Sequence, residues 1–380
     1  MKLLSPLLVL IVALLAGCAT TGGPEPASQL PPDMQGTPAV QGTPALPERK
    51  PELPPLSERE VRAMVSKLLP PGVKDRSGWA TDLHAAFVNL GFPHLPPIYC
   101  ASIAVIEQES SFQADPVVPG LPDIVWRELE QRGKKYGIPK LLISAAMLKG
   151  SPDGRSYSQR IDSLKTEKQL NALFADMIAE LPAGKQLFAG YNPVRTGGPM
   201  QVSVEFAEQH ASDQPYPYPR AGTIRDEVFT RRGGLYFGSA ILLDYPAPYD
   251  DVAYRFADFN AGRYSSRNAA FQSALAGLSG KPLTLDGDLL RYQGGKAIEQ
   301  PSSVEIALRS LGRRLGLNAG EIRRDLLLEK AASFGQSPSY TRLYALADKT
   351  AGRPLTRQLM PQIDLKSPKI TRKLTTEWFA

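Results

Sequence analysis

Apolar and polar residues alternate with a helical period along most of the chain, and few stretches keep the two-residue period of a strand. Ser57 and Glu60 form a capping-box pattern, which predicts that a helix begins the folded part. Further helices are predicted at residues 79–90, 102–112, 124–136, 140–149, 164–181, 253–259, 268–278, 303–315, 319–334 and 340–347. Residues 214–220, with two tyrosines between prolines, are predicted as an irregular loop. The predicted fold class is therefore mainly α.

A single carboxylate interrupts the apolar stripe of the helix predicted at residues 102–112. Glu109 lies at steps of three or four from the residues that should face the core, which are Ile98, Ser102, Val105 and Phe112. Glu107 lies about 200° away around the helix and should reach water. Burial disfavours the charged form of a carboxyl group and raises its pKa toward neutrality, as a proton donor working near pH 7 requires. The pattern indicates a general acid; a solvated or arginine-paired glutamate at a helix edge is the alternative.

The N-terminus has the features of a secretory signal peptide over residues 1–17. Lys2 precedes an apolar stretch, residues 3–15, that is too short for a comfortable membrane span. The Leu-Ala-Gly-Cys sequence at residues 15–18 resembles the bacterial lipobox. This resemblance implies cleavage before Cys18, acylation of its sulfur and its amino group, and a lipid anchor in the outer membrane facing the periplasm, since Ala19 rather than aspartate follows. An ordinary signal peptide that contains a cysteine is the alternative.

Composition separates the ends of the chain from its middle. Residues 18–56 are rich in Pro, Gly, Thr and Gln, which predicts a lipidated tether that lets the folded part stand off the membrane. Residues 291–380 contain 16 Lys and Arg against 8 Asp and Glu, a difference of +8, and they are predicted as a basic helical region that ends in an extended tail. Residues 57–290 lie between these two parts and contain the candidate chemistry.

Charge and potential ligands argue against several classes of function. The basic residues of the C-terminal region lack interleaved aromatic residues, so no nucleic-acid partner is expected, whereas anionic lipid head groups, cell-wall peptides and glycan carboxylates remain possible partners. The histidines at positions 84, 94 and 210 lack the spacing of metal ligands, so neither a metal nor a cofactor is predicted. With Cys18 lipidated, Cys100 is the only thiol left, and it is expected to be a small buried hydrophobic residue rather than a nucleophile.

Four separated segments carry the candidate chemistry. They are IEQESSF around Glu109 and Ser110, RTGGPMQVS around residues 198–201, RGGLYF at residues 232–237, and YRFADFNAG around residues 259–262. Together, in this order, they resemble the lysozyme-like domain of soluble lytic transglycosylases and goose-type lysozymes. That family has a glutamate-serine pair on a core helix, a GLMQ turn, a glycine-containing helix start and an AYNAG segment. The whole chain also resembles an uncharacterised family of proteobacterial lipoproteins described only as a domain of unknown function.

The resemblance implies a lysozyme-like helical domain at residues 57–290, with a long helical insertion at about residues 116–195. Glu109 matches the catalytic acid and base of the family, and Ser110 matches the hydroxyl that helps to orient the carboxyl group or the sugar. Met200 and Gln201 match the pair that floors the groove and reaches the amide groups of the substrate, and Asn260 matches the asparagine of the third motif. The implied substrate is the glycan strand of peptidoglycan.

The implied reaction is cleavage of the β-1,4 bond between N-acetylmuramic acid and N-acetylglucosamine. Glu109 would protonate the glycosidic oxygen while the acetamido group of the sugar assists, and would then accept the proton of the muramyl 6-hydroxyl as a 1,6-anhydro ring closes. One carboxylate suffices for this route, because substrate assistance replaces the second one. If a second acid serves, the candidates nearest in sequence are Asp115, Glu205 and Asp258, each with a capping or solvated role as the alternative.

The chain departs from the family pattern at three points. Phe259 replaces the tyrosine whose hydroxyl contacts the glutamate, and the phenols that could substitute for it are Tyr191, Tyr254 and Tyr264. Pro199 replaces a leucine and stiffens the turn. The insertion is longer than the family usually has, and it could cover the groove, restrict it to chain ends or bind another protein. The basic C-terminal region could also bind a protein partner. An inactive glycan-binding scaffold, a hydrolytic lysozyme and a purely structural helical lipoprotein are the rival interpretations.

Overall fold

The computed structural model describes residues 56–183, 187, 189–365 and 374–375, and these are mainly helical, as predicted. The predicted signal peptide at residues 1–17, the lipidation site Cys18 and the tether up to residue 55 lie outside the described residues. Within the described ranges, none of the helices combines the length and the apolar character that crossing a membrane requires.

The described α-helices follow one another with few strands between them. In chain order they are α1 Glu58–Leu68, α2 Arg76–Leu90, α3 Pro96–Ser110, α4 Leu121–Lys135, α5 Lys140–Met147, α6 Tyr157–Asp162, α7 Glu167–Ala179, α8 Val204–Asp213, α9 Ile224–Val228, α10 Arg231–Leu243, α11 Val252–Ala261, α12 Ser265–Ser279, α13 Ser303–Ser310, α14 Gly312–Leu315, α15 Ala319–Leu326 and α16 Pro338–Ala351. Short 3-10 helices lie at Ala189–Tyr191 and Ala332–Gln336. Antiparallel pairs join β1 Thr196–Gly197 to β2 Val202–Ser203, β3 Tyr292–Gln293 to β4 Lys296–Ala297, and β5 Asp364–Leu365 to β6 Leu374–Thr375.

Helices α1 to α3 and α8 to α11 enclose one hydrophobic core, and we call this part of the molecule the body. The capping box predicted at Ser57 is confirmed, since its side chain accepts from the backbone N–H of Glu60 at the start of α1. The first turn of α10 is tied to α2 because Asp82 accepts hydrogen bonds from Arg231 at 2.6 Å and from Arg232 at 3.0 Å. Helix α10 also packs on α3 and α11, so it is central to the body.

Helices α4 to α7 of the insertion surround a second hydrophobic core of their own. The insertion is tied to the segment that follows α3, because Thr166 donates to Asp115 at 3.0 Å and the N–H of Val118 donates to the carbonyl of Lys165 at 2.8 Å. Phe229 of the body belongs to this second core. The insertion is therefore a small helical lobe with its own apolar interior, and hydrogen bonds connect it to the segment that follows α3.

Helices α12 to α16 surround a third core, which we call the C-terminal core. It includes Phe271 and Leu275 of α12, so it begins before the boundary predicted at residue 290. Beyond α16 the chain runs in extended conformation against this region, where the N–H of Leu359 donates to Ser266 at 2.9 Å and that of Gln362 donates to Leu285 at 2.7 Å.

The predicted helices exist, but several of their ends differ from the prediction. The helix predicted at residues 102–112 begins at Pro96, a residue type whose fixed φ suits a first helical turn. It ends at Ser110 because Ser111 and Phe112 take positive φ angles. The single helix predicted at residues 164–181 begins only at Glu167, after Thr166 has capped it. Helices α6, α8 and α9 were not predicted, and α8 follows β2 directly with Ser203 as its N-cap.

Candidate active site

Glu109 lies in the last turn of α3 and is buried, with 5% of its surface exposed. The residues that were expected to share its stripe, Ser102 and Val105, are fully buried in the body. Phe112 packs edge-on against Trp79 with ring centroids 5.2 Å apart. Glu107 is exposed, as the helical geometry predicts. The sequence pattern therefore located a buried carboxylate correctly, and the solvated alternative is wrong.

Gln108 holds the carboxyl group of Glu109 in place. Its side-chain N–H donates to Oε1 of Glu109 at 2.7 Å and to Oδ1 of Asn260 at 2.5 Å. The Gln108 side chain is itself buried, and its Oε1 atom has no hydrogen-bond partner among the described residues. A buried carbonyl oxygen without a partner is energetically costly, so Gln108 carries an unsatisfied acceptor that is covered in the described conformation.

Asn260 is brought to Glu109 by the packing of α11 on α3. Its Nδ2 atom donates to the carbonyl of Phe256 at 3.0 Å, which fixes the amide so that Oδ1 faces Gln108. Phe259, its neighbour, packs partly buried against the body core. The structure thus joins two of the predicted site residues, Glu109 and Asn260, through a third residue that sequence reasoning missed. Gln108 is adjacent to Glu109 in sequence, but it matches none of the family positions.

The turn of the second motif connects β1 to β2, with Thr196 paired to Ser203 and Gly197 to Val202. Gly198 takes a φ of +74°, and a Cβ there would lie 2.1 Å from the carbonyl oxygen of Val228, so only glycine fits. A Cβ on Gly238 of α10 would likewise lie 2.4 Å from the sulfur of Met200. Small residues on α10 therefore let this turn pack closely on the body.

Met200 and Gln201 have different surroundings although they are adjacent. Met200 is fully buried in the body core, so it supports the turn from below and does not face a substrate as the resemblance implied. Gln201 is half-buried and takes a φ of +49°, a conformation that residues other than glycine seldom adopt and that recurs at functional sites. Its Nε2 atom donates to Glu167 at 3.2 Å.

Glu167 is a second buried carboxylate, and it comes from the insertion. It is 9% exposed and lies in the first turn of α7, where the helix dipole favours a negative charge. Because it is 34 residues from Gln201 in the chain, no local pattern indicates that the two side chains meet. The insertion therefore adds a carboxylate to the turn that the second motif forms.

The remaining predicted residues have roles within the fold. The hydroxyl of Ser110 is buried and donates to the carbonyl of Ile106 at 2.9 Å, so it is engaged by its own helix. Tyr264, a candidate for the missing phenol, donates to the carbonyl of Pro246 at 3.0 Å. Cys100 was expected to be buried, but it is exposed, because α3 turns this position away from the core. Desolvation nevertheless raises the pKa of the Cys100 thiol, which does not favour a nucleophile.

The three carboxylates considered as a second acid also have structural explanations. Asp258 is buried and accepts from the phenols of Tyr245 and Tyr249 and from the backbone N–H groups of Tyr264 and Ser266. Burial raises its pKa. Asp115 accepts from Thr166, and Glu205 is exposed in the first turn of α8. In the described residues no group of three or more His, Cys, Asp or Glu side chains is arranged to hold a metal ion.

Comparison with known proteins places the chain in a family. Residues 72–380 match the family model described as "Protein of unknown function (DUF1615)". The chain is 50% identical over 321 residues to the "Uncharacterized protein YaiW" of Escherichia coli (strain K12), which corresponds to 84% of this chain and 86% of that protein. No solved structure matches the chain. The protein therefore belongs to the DUF1615 family.

Proposed function

We propose that the protein is a peptidoglycan lytic transglycosylase. It cleaves the β-1,4 bond between N-acetylmuramic acid and N-acetylglucosamine and leaves 1,6-anhydro ends. By the lipobox resemblance, the protein is located at the periplasmic face of the outer membrane and is anchored there by the acyl chains of Cys18. The observation that carries the proposal is the buried carboxyl group of Glu109, bonded to the amide of Gln108, which also bonds Asn260. A general acid needs such a water-poor and fixed setting.

The reaction needs one carboxyl group that works in both directions. The amide of Gln108 donates to Oε1 of Glu109, which orients the carboxyl group that delivers the proton. That proton passes to the glycosidic oxygen as the C1–O bond breaks, and N-acetylglucosamine leaves as the free alcohol. The muramyl acetamido oxygen stabilises C1 from the other face. The 6-hydroxyl then attacks C1, and its proton returns to the carboxylate, so the enzyme is restored and no water is consumed.

Amide groups provide the contacts that the sugar needs. The unpartnered Oε1 atom of Gln108 is buried, so it becomes a contact for an acetamido N–H or a sugar hydroxyl only when the side chains that cover it move apart. Gln201 presents a second amide, from a turn that its left-handed conformation and the close packing on α10 keep rigid. Met200 supports that turn and is not assigned a contact with substrate.

A hydrolytic lysozyme is the second candidate, because the insertion brings Glu167 to Gln201. A second carboxylate can activate water, and water attack would leave a reducing end in place of the anhydro ring. The two reactions use the same acid, Glu109, and differ only in what attacks C1. Product analysis therefore separates them.

The test is digestion of purified cell-wall sacculi by the full-length protein. Because general acid catalysis contributes about 10²- to 10⁴-fold, Glu109→Gln should lower the release of soluble fragments by about a thousandfold. Glu107→Gln is the matched control, since Glu107 lies on the same helix but is exposed, and it should act like the wild type. Mass spectrometry of the fragments should find anhydro ends, each lighter by one water than a reducing end.

Each other outcome contradicts a specific part of the proposal. Equal release by the wild type and by Glu109→Gln would remove Glu109 from the mechanism. Reducing ends alone would favour the lysozyme. Binding to sacculi without release of any fragment would mean that the protein is a glycan-binding scaffold. Circular dichroism spectra of the variants, matched to the wild type, make these readings independent of folding.

A further inference from the structure

The insertion carries an open groove that is separate from the residues around Glu109. It has a volume of about 720 Å³ and lies between α4 and α5, with α6 at one end. Its lining includes Trp126, Arg127 and Glu130 from α4, Lys140 and Leu141 from α5, and Leu148, the C-cap residue of α5. Pockets of about 300–1,000 Å³ hold small ligands in proteins, so the groove has the size of a site for a short peptide or an oligosaccharide.

One side of the groove is an apolar stripe that no other described element covers. Leu141, Ala145 and Leu148 recur along α5 at steps of four and three, so they share one face of the helix. Leu141 is 78% exposed and Leu148 is 69% exposed. Large apolar side chains that are this exposed and that lie together, rather than singly, mark a binding surface.

The opposite side of the groove is rigid and polar. The indole N–H of Trp126 donates to Asp162 at 2.8 Å, which fixes the ring as a wall. Glu130 and Lys140 form an ion pair of 2.5 Å between α4 and α5. Arg127 adds a positive charge to the lining and Asp123 a negative one. The groove therefore offers both signs of charge above an apolar stripe.

We propose that this groove binds the stem peptide of peptidoglycan. The stem peptide is short and carries carboxylates, a free amine and the methyl groups of alanine, which match the cations, the anions and the apolar stripe in turn. A surface for anionic lipid would need an excess of positive charge, and the groove lining has equal numbers of Asp or Glu and of Arg or Lys. The choice of ligand rests on the proposed function, whereas the existence of the site rests on the groove alone.

The test is binding of the synthetic tetrapeptide L-alanyl-γ-D-glutamyl-meso-diaminopimelyl-D-alanine to the full-length protein, followed by calorimetry. Leu141→Ser should weaken binding about tenfold, because it removes one apolar contact. Ala145→Trp should abolish binding by filling the groove. Leu142→Ser is the matched control: Leu142 adjoins Leu141 on α5 and is 46% exposed, but it does not line the groove, so its variant should bind like the wild type.

Other outcomes overturn the proposal, and they do so independently of catalysis. Failure of the tetrapeptide to bind, or equal weakening by Leu141→Ser and Leu142→Ser, would refute it. Peptide-free glycan strands that bind in a Leu141-dependent way would make the groove a sugar site instead. Phosphatidylglycerol vesicles that bind in such a way would make it a membrane contact. No bond is cleaved in these binding assays, so a protein without lytic activity could still bind the peptide. A protein that has lytic activity but does not bind the peptide would refute the peptide site and leave the proposed function intact.

Discussion

The body and the C-terminal core both bury glutamate side chains, but they satisfy them differently. In the C-terminal core, Glu305 is fully buried and accepts from Arg309 at 2.5 Å and from Arg323 at 2.8 Å. Glu329 is fully buried as well, and it accepts from the phenol of Tyr292 and from the backbone N–H of Leu289. In the body, Glu109 accepts from an amide whose own oxygen has no partner in the described part of the chain.

This comparison teaches that burial alone does not identify a catalytic acid. Burial raises the pKa of Glu329 to about 7, a value suited to acid and base chemistry. Its oxygens, however, hold together β3 and the turn before it, since they accept from Tyr292 and from the backbone N–H of Leu289. Glu305 is neutralised by two guanidinium groups, as a structural ion pair is. Glu109 differs from both because the side chain that bonds it, Gln108, keeps an unsatisfied buried acceptor, which costs free energy in the described conformation.

The largest effect is expected from breaking the ion-pair network of Glu305. Glu305→Ala removes the carboxylate that pairs with both Arg309 and Arg323. Because Arg323 is mostly buried and then lacks a counter-charge, the free energy of unfolding should fall by about 4 kcal/mol. The rate of fragment release per folded molecule should not change. Glu299→Ala, at an exposed position, is the control and should shift the unfolding free energy by less than about 0.5 kcal/mol in urea titrations. Loss of lytic activity without loss of stability would contradict a structural role for Glu305.

Local patterns predicted the features that depend on neighbours in the sequence. The helical stripe of α3 located Glu109 on the buried face, and the capping box at Ser57 located the start of α1. Glycines 198 and 238 are needed where the turn and α10 approach closely, and the turn was found through its motif. These features were predictable because each rests on the period of one helix or on the steric freedom of one residue.

Features that depend on contacts between distant segments could not be predicted. The meeting of Glu167 with Gln201 is set by how the insertion folds back on the body. The bond from Gln108 to Asn260 spans 152 residues and depends on the packing of α11 against α3. The burial of Met200 and the exposure of Cys100 follow from packing that the family pattern does not encode. The groove of the insertion lies between α4 and α5. Both helices were predicted, but how they pack against each other was not.

A smaller effect is expected from the titration of Glu329. Its folded pKa of about 7 lies above the ordinary value of 4.5, so the folded state holds a proton that the unfolded state has lost between these two pH values. The contribution to stability is therefore complete below pH 4.5 and is lost as the pH rises to 7. The free energy of unfolding should fall over this range by up to about 3 kcal/mol.

The Glu329→Gln variant isolates this contribution from other titrating groups. Glutamine has nearly the shape of the protonated acid and does not titrate, so the stability difference between the two proteins should change with pH by that amount. Urea unfolding at half-unit pH steps from 4.5 to 8 measures the difference. A difference that is constant across the range would mean that Glu329 is already ionised in the folded state at low pH, and the comparison with Glu109 would then rest on geometry alone.

The smallest of these effects, and the one that most sharpens the comparison, is expected from Gln108. Gln108→Leu has a similar volume but removes the donor to Glu109 and to Asn260, and a hydrogen bond to the carboxylate that forms as Glu109 gives up its proton contributes about 2 kcal/mol. The rate constant for fragment release should therefore fall about thirtyfold, because the carboxyl group is no longer held in one orientation. The affinity for sacculi, measured in a Glu109→Gln background, should change little, since the substitution leaves the amide of Gln201 in place. If Gln108→Leu instead weakened sacculus binding and left the rate at saturation unchanged, Gln108 would be a substrate contact. The unpartnered oxygen of Gln108, rather than its bond to Glu109, would then distinguish Glu109 from the buried glutamates of the C-terminal core.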